Sequence, residues 1–195
     1  MRLMVMAMMA TAVARAGTAE IPEARTVTVC VDPDNELLTA RASEGIASQI
    51  FAEIGVTIQW YRLRQCPSKS AILVSFSTQT PAEQLPPLAL ANAFPYEGAH
   101  IVVFFDRVKD RVEPALVIQL LAYVMVHEIT HMLQEVNSHS ETGIMKARWD
   151  SDDYFKMGRR SLRFTGSDIA KVYAGLRVRQ SRLAAAAETP LIAGQ

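Results

Sequence analysis

Residues 115–126, ALVIQLLAYVMV, constrain this chain more than any other stretch. A helix that is apolar all round has no face to give to water, so it is buried through its middle. The run is too short for a bilayer core, which asks for about 20 apolar residues. A domain built around it needs layers of structure on more than one side. The helix also runs straight into His127, Glu128 and His131, in the spacing H-E-x-x-H.

Histidines four apart on a helix project from one face, one turn apart, and their nitrogens can take two corners of a zinc tetrahedron. Glu128, beside the first of them, points next to such a metal instead of ligating it. It can take a proton from a zinc-activated water and hand it to a leaving amine. His139 is the expected third ligand, on the chain that returns after the helix. No glycine follows His131 to end the helix sharply, so the helix is expected to run to near Val136. It would then leave through Asn137 in the left-handed conformation. Glu141, on the same returning segment, is the rival ligand and would make a His-His-carboxylate site. Glu135 stays on the helix, one turn past the metal-facing pair, and is badly placed.

Upstream, TVTVCVD (26–32) reads as a buried strand that stops at Pro33. Asp34 or Asn35 can cap a helix with Ala42, Ile46, Ile50 and Ile54 on one face, ended by Gly55. VTIQWYRL (56–63) and AILVSFS (71–77) are further strands, and strand–helix–strand order predicts a right-handed parallel crossover. LALANAF (88–94) and HIVVFFDRV (100–108) are strands joined by the short turn PYEG, so one of them should lie antiparallel. After the histidines the chain reads as polar and irregular, with KMGRRSLR as a solvated basic loop. FTGSDIAKVYAGL then opens with Thr165 and Asp168 at capping-box spacing. His100, at a strand start, reads as a satisfied strand-end histidine and not as a second metal site.

The first sixteen residues have Arg2, an apolar run from Leu3 to Val13, and Ala14-Arg15-Ala16, the pattern of a secretory signal cleaved after Ala16. Export makes a Cys30–Cys66 disulfide the expected state of the two cysteines. Lysines plus arginines equal aspartates plus glutamates, 20 each, so no charge excess points to nucleic acid. The expected organisation is a signal at 1–16, one domain at 17–177 and a tail at 178–195.

HSETGIM (139–145) is similar to the His-Ser start and Met-turn of the metzincin zinc endopeptidases, with Met145 as the methionine beneath the metal. AILVSFS, LALANAFPYEG and HIVVFFD resemble the third, fourth and fifth strands of matrix metalloprotease catalytic domains. FTGSDIAKVYAGL resembles their final helix, and the likeness covers most of residues 26–177. It implies a zincin-like α/β (α+β) fold: a mixed, twisted five-stranded sheet with one antiparallel edge strand, an active-site helix and a C-terminal helix. It also implies that an extended peptide adds along the edge strand at Leu88, Leu90 and Asn92. Trp149 and Tyr154 read equally well as lining the specificity-pocket wall or as covering the core. The family pattern H-E-x-x-H-x-x-G-x-x-H would put Gly at 134 and His at 137. This chain has Gln134 and Asn137, and its third histidine comes two residues late. Loops for calcium or for a structural zinc are not evident.

The expected protein is therefore a secreted or periplasmic zinc metalloendopeptidase, a monomer with one catalytic zinc, acting on peptides or proteins. It would have no nucleic-acid partner and no membrane span once its signal is removed. Two other readings share these residues: a non-catalytic zinc-binding or interaction protein on the same fold, and a zinc hydrolase of a non-peptide amide.

Overall fold

A computed structural model describes residues 25–68, 70–78, 89–94 and 100–188. The signal at 1–16, Leu88 and the turn at 95–98 lie outside the described residues. Five strands form one sheet: β1 (Thr26–Asp32), β2 (Thr57–Arg62), β3 (Ile72–Ser77), β4 (Ala91–Phe94) and β5 (His100–Phe104). Their order is β2-β1-β3-β5-β4; all neighbours are parallel except β4, which runs antiparallel at the edge. This is the mixed α/β sheet expected from the sequence. Alternate residues Ile72, Val74 and Phe76 of β3 are buried, as are Ile101 and Val103 of β5, so one face of the sheet packs on the helices. Cys30 in β1 is bonded to Cys66, just past β2, with Cα atoms 5.6 Å apart.

Helix α1 (Leu37–Glu53) is followed at once by Gly55, whose left-handed φ of 66° favours a residue without a Cβ. Neither Asp34 nor Asn35 caps it: Glu36 holds the N-cap position, and Asp34 sits at φ 50° in the turn closed by Glu36 N–H on Pro33 O. The four-residue stripe also drifts, because each step overshoots a full turn by about 40°. Ala42 is exposed, and the buried face holds Ala40, Ser43, Ile46, Ala47, Ile50 and Phe51.

The strand expected through Val108 stops at Phe104, and Phe105–Arg111 is helix α2, which buries Phe105 and Val108 at helical spacing. Helix α3 (Val117–Gln134) is the expected central helix: every residue from Leu120 to Gln134 except Glu128 is buried. With the turn before it, the run Pro114–Gln134 has 21 residues, so by length and composition it could cross a bilayer, contrary to the shorter reading from sequence. Here α1, α2, α4, α5 and β4 wrap it instead.

The stretch expected to be irregular contains α4 (Ser151–Gly158), started by a capping box in which Asp150 and Asp153 each accept from the other's backbone N–H. Lys156 and Gly158 of the expected basic loop belong to this helix. Thr165 and Asp168 do form their capping box, with Asp168 Oδ2 accepting from Thr165 N–H at 3.1 Å. The helix they open, α5 (Gly166–Glu188), extends well into the stretch expected to be a frayed helix and tail, whose residues 189–195 lie outside the described residues. Alanines at 184–187 favour helix, and Arg182 anchors the extension to Glu135 at 2.8 Å.

Candidate metal centre

The last two turns of α3 carry His127, Glu128 and His131. The Nε2 atoms of the two histidines lie 3.0 Å apart. His139 arrives from the returning chain, its ring centroid 5.4 Å from that of His127 and 4.9 Å from that of His131. One nitrogen from each of the three lies within 4.8 Å of the others. Glu141 is exposed and is not in that group.

The helix leaves differently from the sequence expectation. It ends at Gln134, and Glu135, not Asn137, takes the left-handed conformation at φ 54°. Such a conformation costs a non-glycine residue about 1–2 kcal/mol, and neighbouring contacts offset it. Glu135 N–H bonds to His131 O at 3.1 Å, and its carboxylate pairs with Arg182. Asn137 lines the cavity over the metal group instead.

Helix α5 holds both neighbours of His139. Lys171 Nζ donates to Ser138 Oγ at 3.1 Å, and Ser140 Oγ donates to the buried Asp168 Oδ1 at 2.5 Å. Ser140 N–H also bonds to Met145 O at 2.8 Å, closing the turn that the Met-turn likeness pointed to. In that turn Gly143 has φ 80°, and a Cβ there would meet Arg163 O at 2.5 Å. Met145 is fully buried.

The donor set fits zinc. Tetrahedral zinc with nitrogens at 2.0–2.1 Å sets them about 3.3 Å apart, close to the His127–His131 separation. His127 Nδ1 faces Ile144 O at 2.9 Å, and His131 Nδ1 faces Val136 O at 3.4 Å. A carbonyl only accepts, so each Nδ1 carries the proton and each Nε2 presents a lone pair. Two lone pairs facing each other repel, unless a cation lies between them. The Ile144 carbonyl also accepts from Trp149 Nε1 at 3.2 Å, and that indole stands edge-on to His127 with centroids 5.4 Å apart. Sequence reasoning missed Ile144 because its contribution is a backbone oxygen.

Burial keeps the three imidazoles neutral. Burial, with His131 next to it, pushes His127 down to about 3. Burial, with His139 nearby, pushes His131 down to about 4, and burial lowers His139 as well. Glu128 keeps part of its surface open to the cavity, yet enough protein crowds its carboxyl for burial to push it up to about 8. These shifts predict the stability of the metal-free protein. Between the folded values and the ordinary 6.5 of histidine, the unfolded chain binds more protons at His127 and His131, so stability rises with pH. Between 4.5 and about 8 the folded chain binds more at Glu128, so there stability falls as pH rises. Two histidines outweigh one glutamate below 6.5, and above it only the glutamate acts. Thermal melts of metal-free protein should therefore peak near pH 6.5, and Glu128→Gln should flatten the alkaline side while steepening the rise between pH 4.5 and 6.5.

Above the group lies a cavity of about 410 Å³. Leu90, Ala91, Asn92 and Ala93 of the edge-strand segment form one wall, while Val124, Trp149 and Tyr154 face it from the helices and the chain after Met145. The structure thus brings Leu90, Asn92, Trp149 and Tyr154 to one cleft with Glu128. His100 lies at the start of β5, where its Nε2 and Ser75 Oγ are 2.9 Å apart.

No family model matches the sequence, and no curated protein matches it. Among solved structures it matches the crystal structure of archaemetzincin from Methanopyrus kandleri, with a TM-score of 0.51 and 15% identity over 80% of this chain and 98% of that one. The chain is similar in fold to archaemetzincin. At this identity the likeness speaks for the fold, and the three histidines rest on their own geometry.

Proposed function

We propose that the protein is an exported zinc-dependent peptidase of metzincin type, acting as a monomer on extended peptides. The observation that carries this reading is the convergence of three neutral imidazoles with Glu128, the single open residue of the buried span Leu120–Gln134, in a cleft beneath a sheet edge. The ordered strand and helix likeness to matrix metalloproteases supports the peptide substrate. The disulfide suits an oxidising, extracytoplasmic compartment.

His127, His131 and His139 would hold one zinc ion. When bound, zinc lowers the pKa of a water to about 7 and polarises a carbonyl. Glu128 would serve as the proton acceptor for an attacking water and then as the donor to the leaving amine nitrogen. A dication beside Glu128 favours its charged form, which converts the buried acid into the base this role requires. Among the described residues β4 is the edge strand, and its outer backbone N–H and C=O groups are what an extended peptide would pair with, holding its scissile bond along the cleft.

The test is metal removal. Purified protein should hold one zinc per chain, lose peptide cleavage on chelation, and recover it when zinc is returned. Protein without zinc would overturn the metal site. Protein fully loaded with zinc that leaves all peptides intact would favour the non-catalytic or non-peptide readings.

A further inference from the structure

The cavity over Glu128 carries charges that catalysis does not use. Arg111, at the end of α2, and Arg148, in the chain after Met145, both line it. Among the described residues, no carboxylate pairs with either. Lys146 also lines the cavity, but Asp150 and Asp153 neutralise it at 2.5 and 2.7 Å. Glu128 is the one carboxylate among the described lining residues.

Arg111 is half-buried, and it shares the cavity wall with Tyr154. Val124, on α3 one turn before His127, shares that wall. A guanidinium lining that wall offers N–H donors in a planar fork that matches a carboxylate. Arg148 adds a second positive charge from the exposed rim. We propose that Arg111 and Arg148 receive a carboxylate of the substrate, so that the enzyme selects peptides with an anionic group beside the cleaved bond. This selection rests on the peptidase reading. Apolar stem atoms of such a residue would lie along Val124 and Tyr154.

Peptides carry carboxylates on Asp and Glu side chains and at the C-terminus, so the test uses matched pairs. One set exchanges Glu for Gln at each position around the scissile bond, and the other exchanges a terminal carboxylate for an amide. Wild type should show a KM about tenfold or more lower for the carboxylate member of one set, with a preference that shrinks as salt rises. The set that discriminates identifies the source. Arg111→Gln should erase most of the preference, Arg111→Lys should restore part of it, and Arg148→Gln should weaken it. Circular dichroism and zinc content verify that each variant is folded. Equal KM values within every pair, or a preference untouched by both arginine substitutions, would overturn the proposal. Calorimetric binding of the same peptides to zinc-loaded Glu128→Gln protein separates the two readings. Discrimination in binding without cleavage by wild type would refute the peptidase and keep the carboxylate site; binding without discrimination would refute the site.

Discussion

Glu128→Gln keeps the metal and loses peptide hydrolysis by roughly 10³-fold, the middle of the range for a general base. The substitution preserves shape and removes only the group that takes the proton. Its neighbours His127 and His131 keep their carbonyl partners at Ile144 and Val136, so zinc content should not change. The lost interaction belongs to the transition state, so the fall should lie in kcat, with KM almost unmoved. Steady-state kinetics beside metal analysis checks both halves. Undiminished turnover in the variant would remove Glu128 from the mechanism.

Gly175→Ala should destabilise the fold by about 3 kcal/mol or more, the upper end of overpacking costs. A Cβ at 175 would stand 1.8 Å from Leu133 O, 2.9 Å from Leu133 C and 3.2 Å from Gln134 Cα. These are backbone atoms of α3 and cannot swing aside, so α5 would have to retreat. Retreat draws Asp168 and Lys171 away from Ser140 and Ser138, so zinc affinity should fall with stability. The fitting control is Gly45→Ala in α1, where an added Cβ meets nothing within 4 Å. That change should instead stabilise by about 0.5–1 kcal/mol, because alanine is the better helix former. Urea unfolding of both variants measures the contrast, and equal midpoints would refute the close-packing argument.

Much of the fold is legible where one local signal dominates. β1 covers Thr26–Asp32 as read, because a β-branched run ends at Pro33. Gly55 and the Thr165–Asp168 box mark helix ends through their own chemistry. The errors fall where tertiary contacts decide. Asn137 is the better left-handed residue by propensity, yet the helix leaves at Glu135, where α5 closes on Leu133 and Arg182 meets the carboxylate. Asp150 and Asp153 signalled α4, but that helix is too short and polar to announce itself by periodicity. In the site, H-E-x-x-H named two histidines and the glutamate outright. Placing His139 took partners far along the chain, and the serines on either side of it were the visible trace of them.

That arrangement has a consequence for biosynthesis. The chain leaves the ribosome N-terminus first, so α3 and His139 emerge before Lys171 and Asp168. Until those two have followed, nothing on α5 can grip Ser138 or Ser140, and the third histidine of the group has no fixed address. A nascent chain interrupted before residue 168 would carry the whole H-E-x-x-H helix without a finished centre. The clasp ties the position of His139 to residues some thirty places further along, so the three histidines can be brought into register only after α5 has begun to fold.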